Sequence, residues 1–179
     1  MIRSASTSDA DALLRLWSEA GSGTVSLPSD QEAAAAIVRI GESSAEKLIV
    51  GEIDGQVVGV VHLRRSPMSP LHTHEAVHIS FLLVLPEFRR HGYARALLEA
   101  GVNWAEDSGL GFVTAVTTAA SRDANRFLAR WGMSAAATVR IAPTALLRSK
   151  LSPALRTGTP AARQVLAQRR SLRRRQTVR

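Results

Sequence analysis

The stretch "AVHISFLLVLPEFRRHGYARALLEAGVNWAED" (76–107) constrains the fold more than any other part of the chain. An apolar strand pattern ends at Pro86, a basic turn with a glycine follows, and then a helical stripe begins. From Ala94 the apolar residues fall at 94, 97, 98, 101, 102 and 105, one face of a helix that stops near Gly109. "GFVTAVT" (111–117) then reads as a second strand. Two strands joined by a helical crossover run parallel in one sheet.

The rest of the chain supplies antiparallel neighbours. "EKLIVGEIDGQVVGVVHLRR" (46–65) is two β-rich runs joined by Asp54-Gly55, a strong hairpin signal. A short strand is expected at Ile2–Ala5. "TSDADALLRLWSEAG" reads as a helix opened by Thr7 or Ser8, and "SDQEAAAAIVRIG" as a second, capped by Ser29 or Asp30 and stopped by Gly41. "GSGTVSLPS" between them is a loop, and so is "SPMSPLHTH" with its two prolines. Ala124, Phe127, Leu128 and Trp131 give the stripe of a short helix, with Ser121 as N-cap and Gly132 as stop. "AAATVRI" and "TALLRSKL" are expected to form a closing pair of strands. The sheet is therefore mixed and the class α/β or α+β.

Composition bounds the chemistry. The 179 residues suit one domain. No cysteine is present, which excludes disulfides, thiolate metal sites and a cysteine nucleophile. No apolar run approaches the roughly 20 residues that span a bilayer, and the N-terminus lacks the apolar centre of a signal peptide. A cytoplasmic protein is the default expectation. The net charge of +8 is localised: residues 1–152 hold 15 Lys+Arg and 15 Asp+Glu, whereas residues 153–179 hold eight arginines and no acid. The expected organisation is a domain over 1–152 and an Arg-rich, flexible tail over 153–179.

The strand-to-helix junction has chemistry of its own. The first amides of a helix lack intrahelical partners, and the dipole adds partial positive charge there. Such an end binds phosphate where the backbone is accessible. In "RRHGYA", Gly92 and Ala94 give access while Arg89, Arg90 and Arg95 add full charges, so recognition of a pyrophosphate is suggested. Neither G-x-x-x-x-G-K-[ST] nor G-x-G-x-x-G with a downstream acid is present. The plainer alternative is a helix start with solvated arginines.

"HISFLLVLPEFRRHGYARALL" resembles the central motif of the GNAT superfamily of N-acetyltransferases, in which a strand ending in V-x-P leads to [R/Q]-x-x-G-x-[G/A] and a helix. Val84 and Pro86 match the first part; Arg89, Gly92 and Ala94 match the second. "ANRFLARWGM" is similar to the family's next helix, which ends in G-F. The resemblance extends over about residues 1–151. It implies a mostly antiparallel central sheet, flanked by helices, in which one parallel strand pair splays apart around acetyl-CoA. It further implies that the pyrophosphate is bound by the amides of Arg90, His91, Gly92, Tyr93, Ala94 and Arg95. The pantetheine arm would lie along Leu82, Leu83 and Val84, whose side chains also fit a core strand.

The reaction implied is direct attack of a neutral amine on the thioester. A lysine-like amine, with pKa about 10.4, is protonated at neutral pH, so a base must accept a proton. His78 stands where the histone-modifying members carry a strand glutamate serving as base, and an imidazole can do that work. Period two puts Ser80 on the same face as His78. The alternative is a buried histidine satisfied by a neighbouring carbonyl. Leu128 stands where the family's thiolate-protonating tyrosine falls, and Tyr93 in the phosphate turn is a poor substitute. Ser121 stands at the family's asparagine, as a cap and a weaker cofactor contact.

Other features yield less specific expectations. His72, His74 and His78 have no acid fixed beside them, so no metal is expected. Trp17 and the first two helices form the natural acceptor wall. The tail "PAARQVLAQRRSLRRRQTVR" has the charge to bind nucleic acid through phosphates, or serves as a disordered solubilising tail. The leading function is acetyl-CoA-dependent N-acetylation of a primary amine on a small molecule or protein. Alternatives are a catalytically weak acyl-CoA-binding module and a nucleic-acid-associated protein.

Overall fold

The computed structural model describes residues 1–19, 26–118 and 121–156. It divides into two compact units, Met1–Ala137 and Thr138–Arg179. The first contains a five-stranded sheet in the order β1 (Ile2–Ser4), β2 (Glu46–Ile53), β3 (Gln56–Pro67), β4 (Glu75–Val84) and β5 (Val113–Ala115). All neighbours are antiparallel except β4 and β5, which are parallel. The helices are α1 (Ala10–Glu19), α2 (Asp30–Gly41), α3 (Tyr93–Asp107) and α4 (Arg122–Arg130). This is the mixed sheet flanked by helices that the sequence implies.

Local chemistry explains the elements. Asp54 (φ 48°) and Gly55 (φ 79°) both adopt left-handed backbone between Ile53 and Gln56, the geometry of a tight hairpin turn whose twist matches its strands. Ser29 caps α2: its hydroxyl accepts from the Glu32 amide, and the Glu32 carboxylate accepts from the Ser29 amide at 2.7 Å.

Each face of the sheet is sealed separately. On one, α3 packs Leu97, Leu98, Trp104 and Ala105 against Ile49, Val61, Leu63, Val77 and Ile79. Gly101 lets α3 approach closely: a Cβ there would lie 2.9 Å from Ile79 Cδ1 and 3.2 Å from Leu63 Cδ2. On the other, Ala10, Leu13 and Leu16 of α1 and Ile37 of α2 cover Val50, Val57 and Val60. Burying each large aliphatic side chain contributes about 1.5–3 kcal/mol, so the two clusters hold the sheet between its helices.

The N-terminal strand is fastened by charge. The Arg3 guanidinium donates two hydrogen bonds to the buried Asp9 carboxylate, at 2.7 and 2.8 Å, and a third to Glu52 at 2.6 Å. Asp9 also accepts from the amide and hydroxyl of Ser6. Its carboxyl is consequently lowered to about 2, the Arg3 hydrogen bonds contributing most.

One expectation is corrected. No closing strand pair forms among residues 135–151; residues 134–143 are irregular, and the second unit contains the helix α5 (Thr144–Arg156). Ala, Leu, Arg and Lys favour a helix intrinsically, and Pro143 precedes its start, where its carbonyl accepts from the Leu147 amide. Of the Arg-rich tail, 153–156 belong to α5 and 157–179 lie outside the described residues, as do 20–25 of the first helical connection. No helix among the described residues is long and apolar enough to cross a membrane.

Candidate active site

The parallel pair separates partway along β4. Its register is Val77↔Val113, His78↔Thr114 and Ile79↔Ala115, and the Val116 amide bonds the Ile79 carbonyl at 2.9 Å. β5 ends there while β4 continues to Val84. The Leu85 amide bonds Val58 O across β3. Strand alternation therefore turns the backbone of Leu83 toward β3 and those of Leu82 and Val84 toward the side that β5 has left.

A bulge sits at the separation. Between the pairs His62↔Ser80 and Val60↔Leu83 the register slips, and Phe81 takes φ 52°. An extra residue in one strand bends it and re-aims side chains. Two consecutive side chains consequently reach the α1/α2 face: Ser80 meets His62 of β3, while the Phe81 ring stacks on Trp17 of α1 with centroids 5.0 Å apart.

After β4 come a short 3-10 turn, Pro86–Phe88, and the basic turn. Arg90 (φ 66°) and Gly92 (φ 90°) are left-handed, and Gly92 precedes the first residue of α3 with no side chain capping the helix. The Ala96 amide is the first to find an intrahelical acceptor, Gly92 O at 3.0 Å. Among the described residues, no acceptor meets the amides of Arg90, His91, Gly92, Tyr93, Ala94 and Arg95. Beyond its two chain neighbours, no atom lies within 4 Å of where a Gly92 side chain would begin, so the backbone is open to a ligand.

The side chains around this turn divide between charge and packing. Arg89, Arg90, His91 and Arg95 are exposed. Arg89 Nε donates to Val84 O at 3.2 Å, laying its guanidinium across the strand end, and His91 Nδ1 donates to Arg89 O at 2.8 Å. The Arg95 guanidinium lies over the Trp131 ring, 5.6 Å from its centroid. Tyr93 packs its ring edge-on to Phe88 and against Gly51 of β2. Ser121 caps α4, its hydroxyl accepting from the Ala124 amide at 3.4 Å. Leu128 is half-buried on the same helix.

His78 is held at both ring nitrogens. Nε2 lies 3.1 Å from Ser66 O, which can only accept, so Nε2 carries the proton and Nδ1 accepts from the Thr114 hydroxyl at 2.7 Å. His72 Nδ1 lies 2.6 Å from the Ser69 hydroxyl. Among the described residues, no three His, Asp or Glu side chains converge as metal ligands would.

A second histidine, which sequence patterns did not single out, occupies the same face. His62 Nδ1 is 3.0 Å from Ser80 Oγ, and its Nε2 is 3.1 Å from Glu46 Oε2. His62 and Glu46 are about one-fifth exposed, enough to be reached from solvent. The only available signal was a polar residue alternating into the apolar run of β3, which identifies neither partner.

Solved structures share this architecture. One is a transcriptional regulator from Bacillus halodurans C-125, 18% identical, with 80% of this chain and 98% of that chain covered and a TM-score of 0.68. A second is the glucosamine-6-phosphate N-acetyltransferase of Arabidopsis thaliana (18% identity, 80% and 97% coverage, TM-score 0.65). A third is the aminoglycoside N-acetyltransferase AAC(6')-Iy in complex with CoA (17%, 80% and 93%, TM-score 0.66). No curated protein sequence matches the chain. The model of the Acetyltransferase (GNAT) family matches residues 10–133, which include the separated strands, the basic turn and both flanking helices, and the chain belongs to that acyltransferase family.

Proposed function

We propose that this protein transfers the acetyl group of acetyl-CoA, the family's acyl donor, to a primary amine of a small molecule or protein by direct attack. One observation carries the reading: the unpartnered amides of Arg90–Arg95 open α3 beside the edge of β4 that β5 leaves at Leu82 and Val84, where the exposed Arg89 side chain meets the Val84 carbonyl. The amides suit a pyrophosphate, with Arg89, Arg90 and Arg95 supplying charge. The edge suits the amide groups of a pantetheine arm, while Leu83 holds the strand to β3. Ser121, at the start of α4, is a further contact for the donor. Two of the structural neighbours are named for acceptors that carry amines, which supports an amine here.

The acceptor enters as an ammonium ion and must lose a proton before it attacks. An imidazole on the α1/α2 face takes it, and His78 and His62 both lie there. Trp17 and Phe81 form the acceptor's aromatic wall.

Release of CoA thiol from acetyl-CoA across a panel of primary amines tests this function. Amine-dependent thiol release is expected. Tight acetyl-CoA binding without turnover would favour a binding module, the reading that Leu128 in place of the tyrosine supports. The eight arginines of residues 153–179 support a separate role in contacting nucleic-acid phosphates. Deleting that segment should then lower RNA affinity in a salt-dependent way.

A further inference from the structure

The bonds around His62 do more than fill a polar gap. Glu46 Oε2, if ionised, can only accept, so Nε2 of His62 carries the proton and its Nδ1 lone pair is directed at the Ser80 hydroxyl. Ser80 then donates to His62 and keeps its own lone pairs for another donor. Three elements build this chain: Glu46 from β2, His62 from β3 and Ser80 from β4.

His78 has the same pattern with one difference. Its Nε2–H faces a neutral carbonyl, Ser66 O, where that of His62 faces a carboxylate. A carboxylate stabilises the imidazolium that forms when the ring takes a proton, and it fixes the tautomer meanwhile. The hydroxyls also differ in place. Thr114 lies within the paired part of β4 and β5, whereas Ser80 is the residue after Ile79, the last partner of β5, and directly precedes the bulge. Ser80 therefore stands where the strands open, beside the Phe81–Trp17 stack.

We propose that Ser80, His62 and Glu46 form the proton relay that deprotonates the acceptor amine, with the Ser80 hydroxyl in contact with the substrate and His62 as the base behind it. This rests on the N-acetyltransferase reading. The ammonium nitrogen donates to Ser80 Oγ as the Ser80 proton passes to His62 Nδ1. The neutral nitrogen attacks the thioester carbonyl carbon, the N–C bond forms and the C–S bond breaks. The CoA thiolate takes the second proton lost by the nitrogen, and the proton on His62 leaves to solvent, regenerating the relay.

Among the described residues, few other groups surround the relay. From α2, Arg39 approaches Glu46 at 3.6 Å; β3 carries the exposed Arg64; β4 carries His78; and α1 presents Leu13, Leu16 and Trp17 to this face.

The test is the pH profile of kcat/KM for amine-dependent CoA release, with acetyl-CoA affinity measured alongside. The wild type should lose rate on the acid side as an imidazole protonates, in the range of about pH 5–8. H62Q should lower kcat/KM about 100-fold, abolish that limb and leave acetyl-CoA affinity within about twofold. E46Q should lower kcat/KM without abolishing the limb, because a neutral amide orients the imidazole less firmly than a carboxylate. The limb should survive in H78Q. Survival of the limb in H62Q, or its loss in H78Q alone, would overturn the relay while leaving the transferase intact. Acetylation of Ser80 after incubation with acetyl-CoA alone would also overturn it, by making Ser80 a nucleophile. A wild type that binds acetyl-CoA but releases no CoA with any amine would remove the enzymatic reading, and the relay with it.

Discussion

Phe81 stacks on Trp17 with ring planes 26° from parallel, although Phe81 is about half exposed and holds a left-handed backbone at φ 52°. A non-glycine residue in that region costs about 1–3 kcal/mol, and such strain concentrates at functional positions. The stack joins the bulge of β4 to α1 and presents the flat apolar surface proposed to receive the acceptor amine. Phe81→Ala should raise the acceptor KM about tenfold, in line with about 0.5–1.5 kcal/mol for an aromatic pair plus lost area. Acetyl-CoA affinity should stay within about twofold. Steady-state kinetics with the best amine of the panel checks both.

Gly92 has open space around it and a backbone that side chains rarely adopt, at φ 90°. Gly92→Ala should therefore cost about 1 kcal/mol of stability, through strain alone. Gly92→Glu should in addition abolish acetyl-CoA binding, because it brings negative charge to the amides proposed to bind the pyrophosphate. Calorimetric titration of both variants separates the two effects.

Asp9 links stability to acid pH. Its folded pKa of about 2 lies below its ordinary value of 3.8, chiefly through the Arg3 hydrogen bonds. Ionised Asp9 therefore stabilises the fold fully above about pH 4, and this contribution fades as pH falls toward 2. It is on the order of 2 kcal/mol for this buried group. Asp9→Asn should lower the Tm at pH 7, and the gap from the wild type should close between about pH 4 and 2.

Gly101 permits the close seat of α3 on the sheet, and its Cβ position already lies 2.9 Å from Ile79 Cδ1. Gly101→Val should destabilise the protein by roughly 2 kcal/mol through overpacking. Urea denaturation should show the midpoint falling without a change in slope.

Much of the frame was legible because local chemistry dictates it. Asp54-Gly55 has the residues a tight hairpin requires, and the stripe from Ala94 to Ala105 can only be a helical face. The open amides at Gly92 follow from a helix start without a capping side chain. The relay was not legible, because Glu46, His62 and Ser80 are 16 and 18 residues apart and meet only through the register of three strands. Nor was the bulge, since phenylalanine gives no hint of positive φ as glycine would. The strand expected over 144–151 failed for a different reason: Ala, Leu, Arg and Lys carry helical preference, and β-periodicity in "TALLRSKL" is weak against it.

The central claim concerns the backbone that opens α3. Titrating acetyl-CoA into isotope-labelled protein and following each amide by NMR tests it most directly. The amides of Arg90–Arg95 should show the largest shifts, together with those of Leu82 and Val84. Saturable binding that leaves these amides unmoved while others shift would contradict the account.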